Sequence, residues 1–486
     1  MTRPQTSSTN DVFHITGPII AAVGAAMGFS GIVALSYGGS DSLPLMASAG
    51  IAILVGVAMN RFTSRPDDIS IRESYITVSL AWLSAAVFGA LPYWLAGVAA
   101  PLDAFFESIS GFTTTGASIF PDPESLPRGI LFWRDMSQWL GGMGIIVLVV
   151  AVLPFLGVGG MQLFRAEVPG PTPERLRPRI RQTATVLWRV YVGLTAAQAV
   201  LYLLGGMSVF DAVTHAFGTM PTGGFSPHTG SIGHFTSPYI QYVTIVFMYF
   251  AGVNFALHYR ALRGKPRSVL ADEEWRFYTL LLVGALAVVA TSHLVAGTYD
   301  SLEEVFRASA FQVVSIGTTT GFTTADYVTW PVVAQVVLLF LMFVGGMAGS
   351  TGGGMKTLRL WAALKQGVAE LRKHLHPRAV IVTRVGGVAV PESVMINILA
   401  FLLLFVASFI VGAFLLTALG VDLVTAAGAA AAAIGNIGPG LGGVGPTGHY
   451  TWLPGLAKLV LSVLMLLGRL EIYTVLVLFQ PGLWRR

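Results

Sequence analysis

Long apolar stretches alternate with short ones along this chain, and polar segments separate them. Runs of roughly bilayer length fall at 16–37, 45–60, 74–98, 131–157, 184–207, 238–258, 277–297, 331–348, 393–419 and 453–480. Each is near the ~20 residues that a helix needs to cross a hydrocarbon core, so ten spanning helices are predicted. Between the members of the last four pairs lie shorter apolar segments, at 103–113, 211–221, 302–316 and 422–434. These are too short to span and read as re-entrant half-helices. Each opens with an acid at its external end: Asp103, Asp211, Glu303 with Glu304, and Asp422. The plain reading is an N-terminal cap. It is compatible with a half-helix whose negative C-terminal end points at a pore centre and attracts cations.

Every half-helix runs into a turn rich in glycine and small hydroxyl residues. The four turns are Thr113-Thr114-Thr115-Gly116-Ala117-Ser118, Pro221-Thr222-Gly223-Gly224-Phe225-Ser226, Ser315-Ile316-Gly317-Thr318-Thr319-Thr320-Gly321-Phe322 and Gly435-Asn436-Ile437-Gly438-Pro439-Gly440. A dehydrated monovalent cation needs several oxygens to replace its water, and backbone carbonyls supply them where the chain runs extended and partly left-handed. Glycine tolerates that path and keeps side chains out of the way. Threonine adds a hydroxyl and stiffens the strand. A single Thr-Thr-Thr-Gly string is ordinarily a loop. Four such turns, each between a half-helix and a span, predict a cation-coordinating filter at Thr114, Thr115, Gly116, Thr222, Gly223, Gly224, Thr319, Thr320, Gly321, Asn436, Ile437 and Gly438. Asn436 is expected to support the filter, and His215 to be a satisfied packing histidine.

The predicted fold class is an all-α polytopic membrane protein, with two leading helices and four helix–pore-helix–filter–helix repeats around one central pore. The corresponding boundaries are 1–72 for the leading pair and 73–182, 183–275, 276–390 and 391–486 for the repeats. Such internal repetition is typical of transporters and channels.

Composition supports the membrane assignment. The 486 residues are 54% hydrophobic and only 11% charged, with a mean hydropathy of +0.71. The absence of cysteine excludes disulfides, thiolate metal sites and cysteine nucleophiles. Most of the 29 Lys and Arg fall in alternate connections, at Arg61–Arg72, 165–189, 260–276 and 356–384, and at both ends. The positive-inside rule therefore puts both termini in the cytoplasm and opens the turns to the outside. The net charge of +5 reads as topology, not as nucleic-acid binding. The first apolar run lacks a basic leader and cleavage site, and is expected to be a retained helix. No His-Glu-x-x-His, Gly-x-Ser-x-Gly or paired intramembrane aspartates point to an enzyme.

The turns at Gly116, Gly224, Gly321 and Gly438 resemble the Trk/Ktr/HKT superfamily of potassium transporters, as do Gly345-Gly346-Met347-Ala348-Gly349-Ser350-Thr351-Gly352-Gly353-Gly354-Met355-Lys356 and Gly468-Arg469-Leu470-Glu471. The length and the two leading helices resemble its TrkH-type bacterial potassium-translocating subunits. The resemblance covers the chain from about residue 16. It implies one pore per polypeptide in the cytoplasmic (inner) membrane, one key glycine per repeat, potassium as the ion, and no organic cofactor. It also implies a homodimer in the lipid bilayer and a cytosolic nucleotide-binding regulatory subunit of the TrkA type. The turns lack the full Thr-Val-Gly-Tyr-Gly string of potassium channels, so looser selectivity is expected.

By the same resemblance, the run from Gly345 to Lys356 is an intramembrane gate, with Gly345, Gly346, Gly349, Ser350, Thr351, Gly352, Gly353, Gly354 and Lys356 as its parts. A continuous helix there would cost about 1 kcal/mol per glycine relative to alanine. A close-packed small-residue helix is the plainer alternative. A phosphate-binding loop fails, because Met355 separates Gly354 from Lys356 and no strand precedes it. Arg469, inside the last apolar run, is expected to face the pore and touch this loop; a structural ion pair is the competing reading. Potassium–proton or potassium–sodium symport through the same pore is the alternative to gated conduction.

Overall fold

The computed structural model of the protein describes residues 8–63, 71–151 and 176–481. Helices dominate, with a single two-stranded hairpin pairing Arg384–Val385 with Val388–Ala389. The leading pair is α1 (Ser8–Ser36) and α2 (Ser42–Arg61). The loop joining them is anchored by Asp41, whose Oδ2 accepts the Ile130 amide at 2.8 Å.

Four groups of helices come next, each in the same order. The first holds α3 (Ile71–Gly89) and α4 (Leu91–Leu95), then the short α5 (Pro101–Phe112) and α6 (Arg128–Ala151). In the second, α7 (Leu176–Leu204) precedes the short α8 (Val209–Thr219), α9 (Pro238–Ala251) and α10 (Phe255–Leu262). After α11 (Arg267–Ala271), the third has α12 (Glu273–Ala296), the short α13 (Leu302–Gly317), α14 (Val332–Val344) and α15 (Thr357–Leu375). The fourth has α16 (Glu392–Ala418), the short α17 (Leu423–Gly435), α18 (Gly455–Arg469) and α19 (Tyr473–Leu476).

The four short helices have 12, 11, 16 and 13 residues. At ~1.5 Å per residue none reaches across a ~30 Å core. Their starts show how the acids work. Only Asp422 is itself the cap, accepting the Thr425 amide at 3.0 Å. Ser208 and Ser301 cap α8 and α13, and Asp211 and Glu304 stand one turn in, supplying the capped amides. Asp103 instead takes the Lys458 ammonium at 2.5 Å, joining the first short helix to α18.

Several expected spans are not continuous. Among the described residues, six helices are long and apolar enough to cross a membrane: Asn10–Ser36, Ser42–Arg61, Arg72–Leu95, Gln182–Leu204, Glu273–Ala296 and Glu392–Ala418. The run at 238–258 bends by 103° between α9 and α10, and the run at 453–480 bends by 116° after α18. The run at 331–348 ends as helix at Val344. Apolar content marks all three as membrane-embedded but says nothing about the break. That comes from residues intolerant of helical geometry or better used elsewhere: Gly252 to Asn254, the glycines from Gly345, and Glu471 with Ile472, both at positive φ. The end of the 131–157 run and the basic residues at 165–175 lie outside the described residues.

Large apolar side chains stay exposed, while the interior holds polar groups beside its apolar core. Leu403, Ile410 and Phe414 on α16 and Leu280 on α12 are exposed, as a lipid solvent allows. The buried set contains every threonine of the turns together with Glu107, Arg134, Asp135, Gln138, Lys356 and Arg469. Polar groups collect on the inside, where a path through the bilayer would need them. The alanine run of α17, Ala429 to Ala433, is fully buried and lets neighbouring backbones approach closely.

Lys458 donates to both Asp103 and the Thr451 carbonyl (2.8 Å). Replacing it with methionine leaves Asp103 without its charged partner, at a cost of about 1.5–3 kcal/mol. Lys458→Met should therefore melt at a lower temperature in detergent by light-scattering or fluorescence scan, and an unchanged midpoint would show that the pair does not hold α5 to α18.

Candidate functional site

The four turns share one backbone conformation. Thr114, Thr222, Thr319 and Asn436 have φ of 52, 58, 63 and 54°. Two residues later Gly116, Gly224, Gly321 and Gly438 have φ of 81, 76, 81 and 100°. The residue between them returns its amide to the end of its short helix: Thr115 to the Ser110 carbonyl at 2.8 Å, Gly223 to Gly218 at 2.8 Å, Thr320 to Ser315 at 2.8 Å and Ile437 to Ala432 at 2.9 Å. Holding a β-branched threonine left-handed costs roughly 1–2 kcal/mol at each position, which the surrounding structure must offset. The return is that the helix end is capped while the next carbonyls are turned away from it.

Those turns meet in a closed ring. A Cβ added to Gly116 would run into the Gly223 carbonyl oxygen; one on Gly224 into that of Thr320; one on Gly321 into that of Ile437. The circuit closes where a Cβ on Gly438 would stand 2.7 Å from the Thr115 carbonyl oxygen. Each turn thus touches the next, and the fourth touches the first. Only glycine fits, on grounds of both φ and space. Among the described residues, no donor meets the carbonyls of Thr115, Thr320 and Ile437. The second turn differs: Gln138 Nε2 donates to the Gly223 carbonyl at 2.7 Å, and its Oε1 takes the Phe225 amide at 3.0 Å.

A second ring of contacts braces the first from outside. Arg134 Nη1 donates to the Ser226 carbonyl at 2.8 Å, joining the first and second groups. The Gly233 amide donates to the Thr323 carbonyl at 3.0 Å, joining second and third. Tyr327 Oη donates to Gly440 at 2.9 Å, joining third and fourth. The Tyr450 amide donates to Ser118 at 2.9 Å and returns to the first. Arg134 is itself neutralised by Glu107 (Nε to Oε1, 2.5 Å), whose other oxygen takes the Ile119 amide at 2.8 Å. All four key glycines line one cavity of about 100 Å³, together with Ser118, Arg134, Ser226, Thr323 and Tyr450. His215 is buried, donating from Nδ1 to the Asp211 carbonyl at 2.8 Å with Nε2 at 3.0 Å from Ser226 Oγ. Asn436 donates from Nδ2 to Thr115 Oγ1 (3.0 Å) and to the Met465 carbonyl (2.9 Å), bridging the fourth turn to the first.

None of the residues 345–356 lines that cavity. This segment has no regular helix and carries positive φ at Gly345, Gly349, Gly354 and Lys356. It is seated on the turns themselves. The Gly353 amide donates to Thr319 Oγ1 at 2.7 Å, Thr351 Oγ1 to the Met220 carbonyl at 2.9 Å, and Gly352 packs on the Thr318 carbonyl. Gly353 packs on Gly435 and Asn436. Met347 and Gly349 pair with the break between α9 and α10, through Gly252 at 2.8 Å and Phe255 at 3.1 Å. Ser350 turns inward onto the Met347 carbonyl at 2.6 Å, and Gly346 accepts the Thr357 amide at 3.1 Å. Lys356 Nζ curls back onto the Gly352 carbonyl.

Arg469 is the last residue of α18, not the middle of a long span. It is buried, and donates from Nη1 to the Thr351 carbonyl at 2.6 Å and from Nη2 to the Gly141 carbonyl at 3.2 Å. No carboxylate pairs with it among the described residues. Glu471, beyond the break, pairs with Arg359 instead. Sequence reasoning missed Glu274. Its Oε1 accepts the Ala348 amide at 2.7 Å and Thr357 Oγ1 at 2.9 Å, clamping both ends of the segment. Glu107, Arg134 and Gln138 were missed as well. All four are polar residues within or at the edge of apolar runs, which is itself a signal of function.

Comparison with known proteins gives the family and the fold. The family model for TrkH, described as a cation transport protein, matches residues 45–485. The Trk system potassium uptake protein TrkH of Vibrio parahaemolyticus is 41% identical over 482 residues, covering 98% of this chain and 99% of that protein. Its namesake in Halomonas elongata is 43% identical over 448 residues, covering 91% and 92%. The crystal structure of the potassium transporter TrkH from Vibrio parahaemolyticus matches with a TM-score of 0.91 at 38% identity, covering 98% of this chain and 99% of that one.

Gly321→Ala forces a methyl group into the Ile437 carbonyl and should lower ion flux more than tenfold in proteoliposomes. Gly284→Ala, on α12 with open space around it, should leave flux unchanged. Equal flux in the two variants would mean that the ring is not the conducting path.

Proposed function

The chain belongs to the TrkH cation transport protein family, and on that premise we propose that it takes up potassium across the bacterial cytoplasmic membrane through the ring of four turns. The observation that carries this reading is the closed circuit from Gly116 through Gly224, Gly321 and Gly438, with the carbonyls of Thr115, Thr320 and Ile437 free of donors among the described residues. A bare cation replaces its water with several such oxygens, and the pore follows a line that touches all four repeats. Potassium is the substrate, bound by Thr114, Thr115 and Gly116, Thr222, Gly223 and Gly224, Thr319, Thr320 and Gly321, and Asn436, Ile437 and Gly438. The C-terminal ends of α5, α8, α13 and α17 add their negative dipole ends around the same line.

The same reading divides the chain into the leading region 1–72 and repeats 73–182, 183–275, 276–390 and 391–486. Both termini are cytoplasmic. The segment 345–356 obstructs the path on its inner side, and Arg469 holds it there with a charged hydrogen bond to Thr351. A fixed guanidinium without a carboxylate partner also repels a cation. Opening requires the segment to leave its seats on Thr319 and Met220, and Glu274 limits how far its ends travel. The protein works as a homodimer with a cytosolic nucleotide-binding subunit of the TrkA type, which docks on the basic cytoplasmic stretches 165–181, 260–276 and 356–384.

Two measurements test this reading. Rubidium and potassium flux into proteoliposomes should exceed sodium flux, and equal flux of all three would reject potassium preference. A charged hydrogen bond contributes about 1.5–3 kcal/mol, so its loss shifts a closed–open equilibrium tenfold or more. Arg469→Ala, and separately a shortened 349–354, should raise basal flux by about that factor without the regulatory subunit. Wild-type flux in folded variants would remove Arg469 and the segment from gating.

A further inference from the structure

The outer rim of the cavity carries a cluster that conduction does not use. Glu124 lies in the loop between the first turn and α6, and His228 and His234 lie in the loop after the second turn. One carboxylate oxygen and one nitrogen from each ring all lie within 4.8 Å of one another. Glu124 and His234 are exposed and His228 is half-buried, so the external solution reaches them. His228 also lines the cavity that holds the four key glycines.

Its hydrogen bonds arrange this cluster as a ligand set. His228 Nε2 lies 3.0 Å from Asp211 Oδ1. A carboxylate only accepts, so Nε2 carries the proton and Nδ1 keeps its lone pair. That Nδ1 is buried, has no hydrogen-bond partner, and lies 3.8 Å from Glu124 Oε1. Glu124 is aimed in turn by the Thr229 amide at 2.8 Å and by the Thr229 hydroxyl. The rings of His228 and His234 stack with centroids 3.9 Å apart and planes 2° apart; a metal lies in the plane of each imidazole that binds it, so the exposed His234 ring must turn out of this stack to share an ion with His228 Nδ1. A carboxylate orienting one ring nitrogen while the other stays open is how metal-bound histidines are held. Two imidazoles and one carboxylate suit a borderline-soft ion with water in the fourth position. Calcium and magnesium prefer all-oxygen sites.

We propose that Glu124, His228 and His234 form an external site for a divalent transition-metal ion, zinc being the best match, and that its occupancy slows potassium influx. The divalent charge would sit at the rim of the cavity that the potassium ion must cross, and repel it. The influx half of this proposal rests on the conduction reading above; the binding half does not.

The test uses the full chain, purified in detergent and also reconstituted. Cobalt(II) added to the metal-free protein should give the intense visible bands of a tetrahedral site, and zinc should displace it at one equivalent. The double variant His228→Ala/His234→Ala should lose the spectrum. Asp211→Asn, which touches no metal, should weaken zinc by tenfold or more. His234→Ala, at an exposed position, serves where the double variant does not fold. External zinc should lower rubidium uptake by the wild type, and leave each histidine variant at its own zinc-free rate. A wild type without the cobalt spectrum, or a variant that keeps it, overturns the site. Zinc binding without slower rubidium uptake overturns its effect on influx. A chain that moves no rubidium defeats the conduction reading instead, while the cobalt spectrum still decides the site.

Discussion

Everything in this molecule depends on four close backbone approaches. Each key glycine admits the carbonyl of the next turn into the space a side chain would fill, and the four approaches form a circuit. No single turn is stable as drawn, because each holds a threonine or asparagine left-handed at a cost. The cost is met by neighbours. Short helices receive the returning amides, Gln138 and Asn436 brace two of the turns, and an outer ring of hydrogen bonds from Arg134, Gly233, Tyr327 and Tyr450 ties each group to the next. The buried ion pair of Glu107 and Arg134 belongs to the same scaffolding, since it fixes the strand leaving the first turn.

The segment 345–356 is built against this ring rather than beside it. Its amides and hydroxyls bond to Thr319, Met220 and Gly252, and its backbone packs on Gly435. Its position and the position of the turns are therefore one mechanical problem. Glu274 connects that problem to α12 and, through Thr357, to α15. Neighbouring Glu273 meets Lys365, Trp361 and the Gly386 amide. Two consecutive glutamates at one helix start thus hold the segment 345–356 and α15 after it.

Much of this is legible in the order of residues. Periodic apolar runs give the spanning helices, short runs the half-helices, and the recurrence of glycine after small polar residues the turns. The breaks in 238–258 and 453–480 are not legible, because hydropathy averages over a window and is blind to a bend within it. Hydropathy places Arg469 too deep for that reason, although the contact with the glycine-rich segment is present as expected. The starting acids read as caps, which only Asp422 is; Ser208 and Ser301 hold that position for two others. Asp103, also read as a cap, instead pairs with Lys458, which is 355 residues away and beyond the reach of local pattern. Glu274 was missed, because nothing local distinguishes it from Glu273.

The inequality of the four turns has a consequence for how such a pore can change. In a ring assembled from identical subunits, one codon alters every quadrant at once. Here the turns read Thr-Thr-Gly, Thr-Gly-Gly, Thr-Thr-Gly and Asn-Ile-Gly on a single chain, and Gln138 engages the carbonyl of only one. On the conduction reading, a substitution therefore perturbs one turn and the neighbour whose carbonyl it admits, not all four at once. Ion preference in this architecture is adjustable in small, asymmetric increments, and an ion held in it has no reason to lie on an exact axis of symmetry.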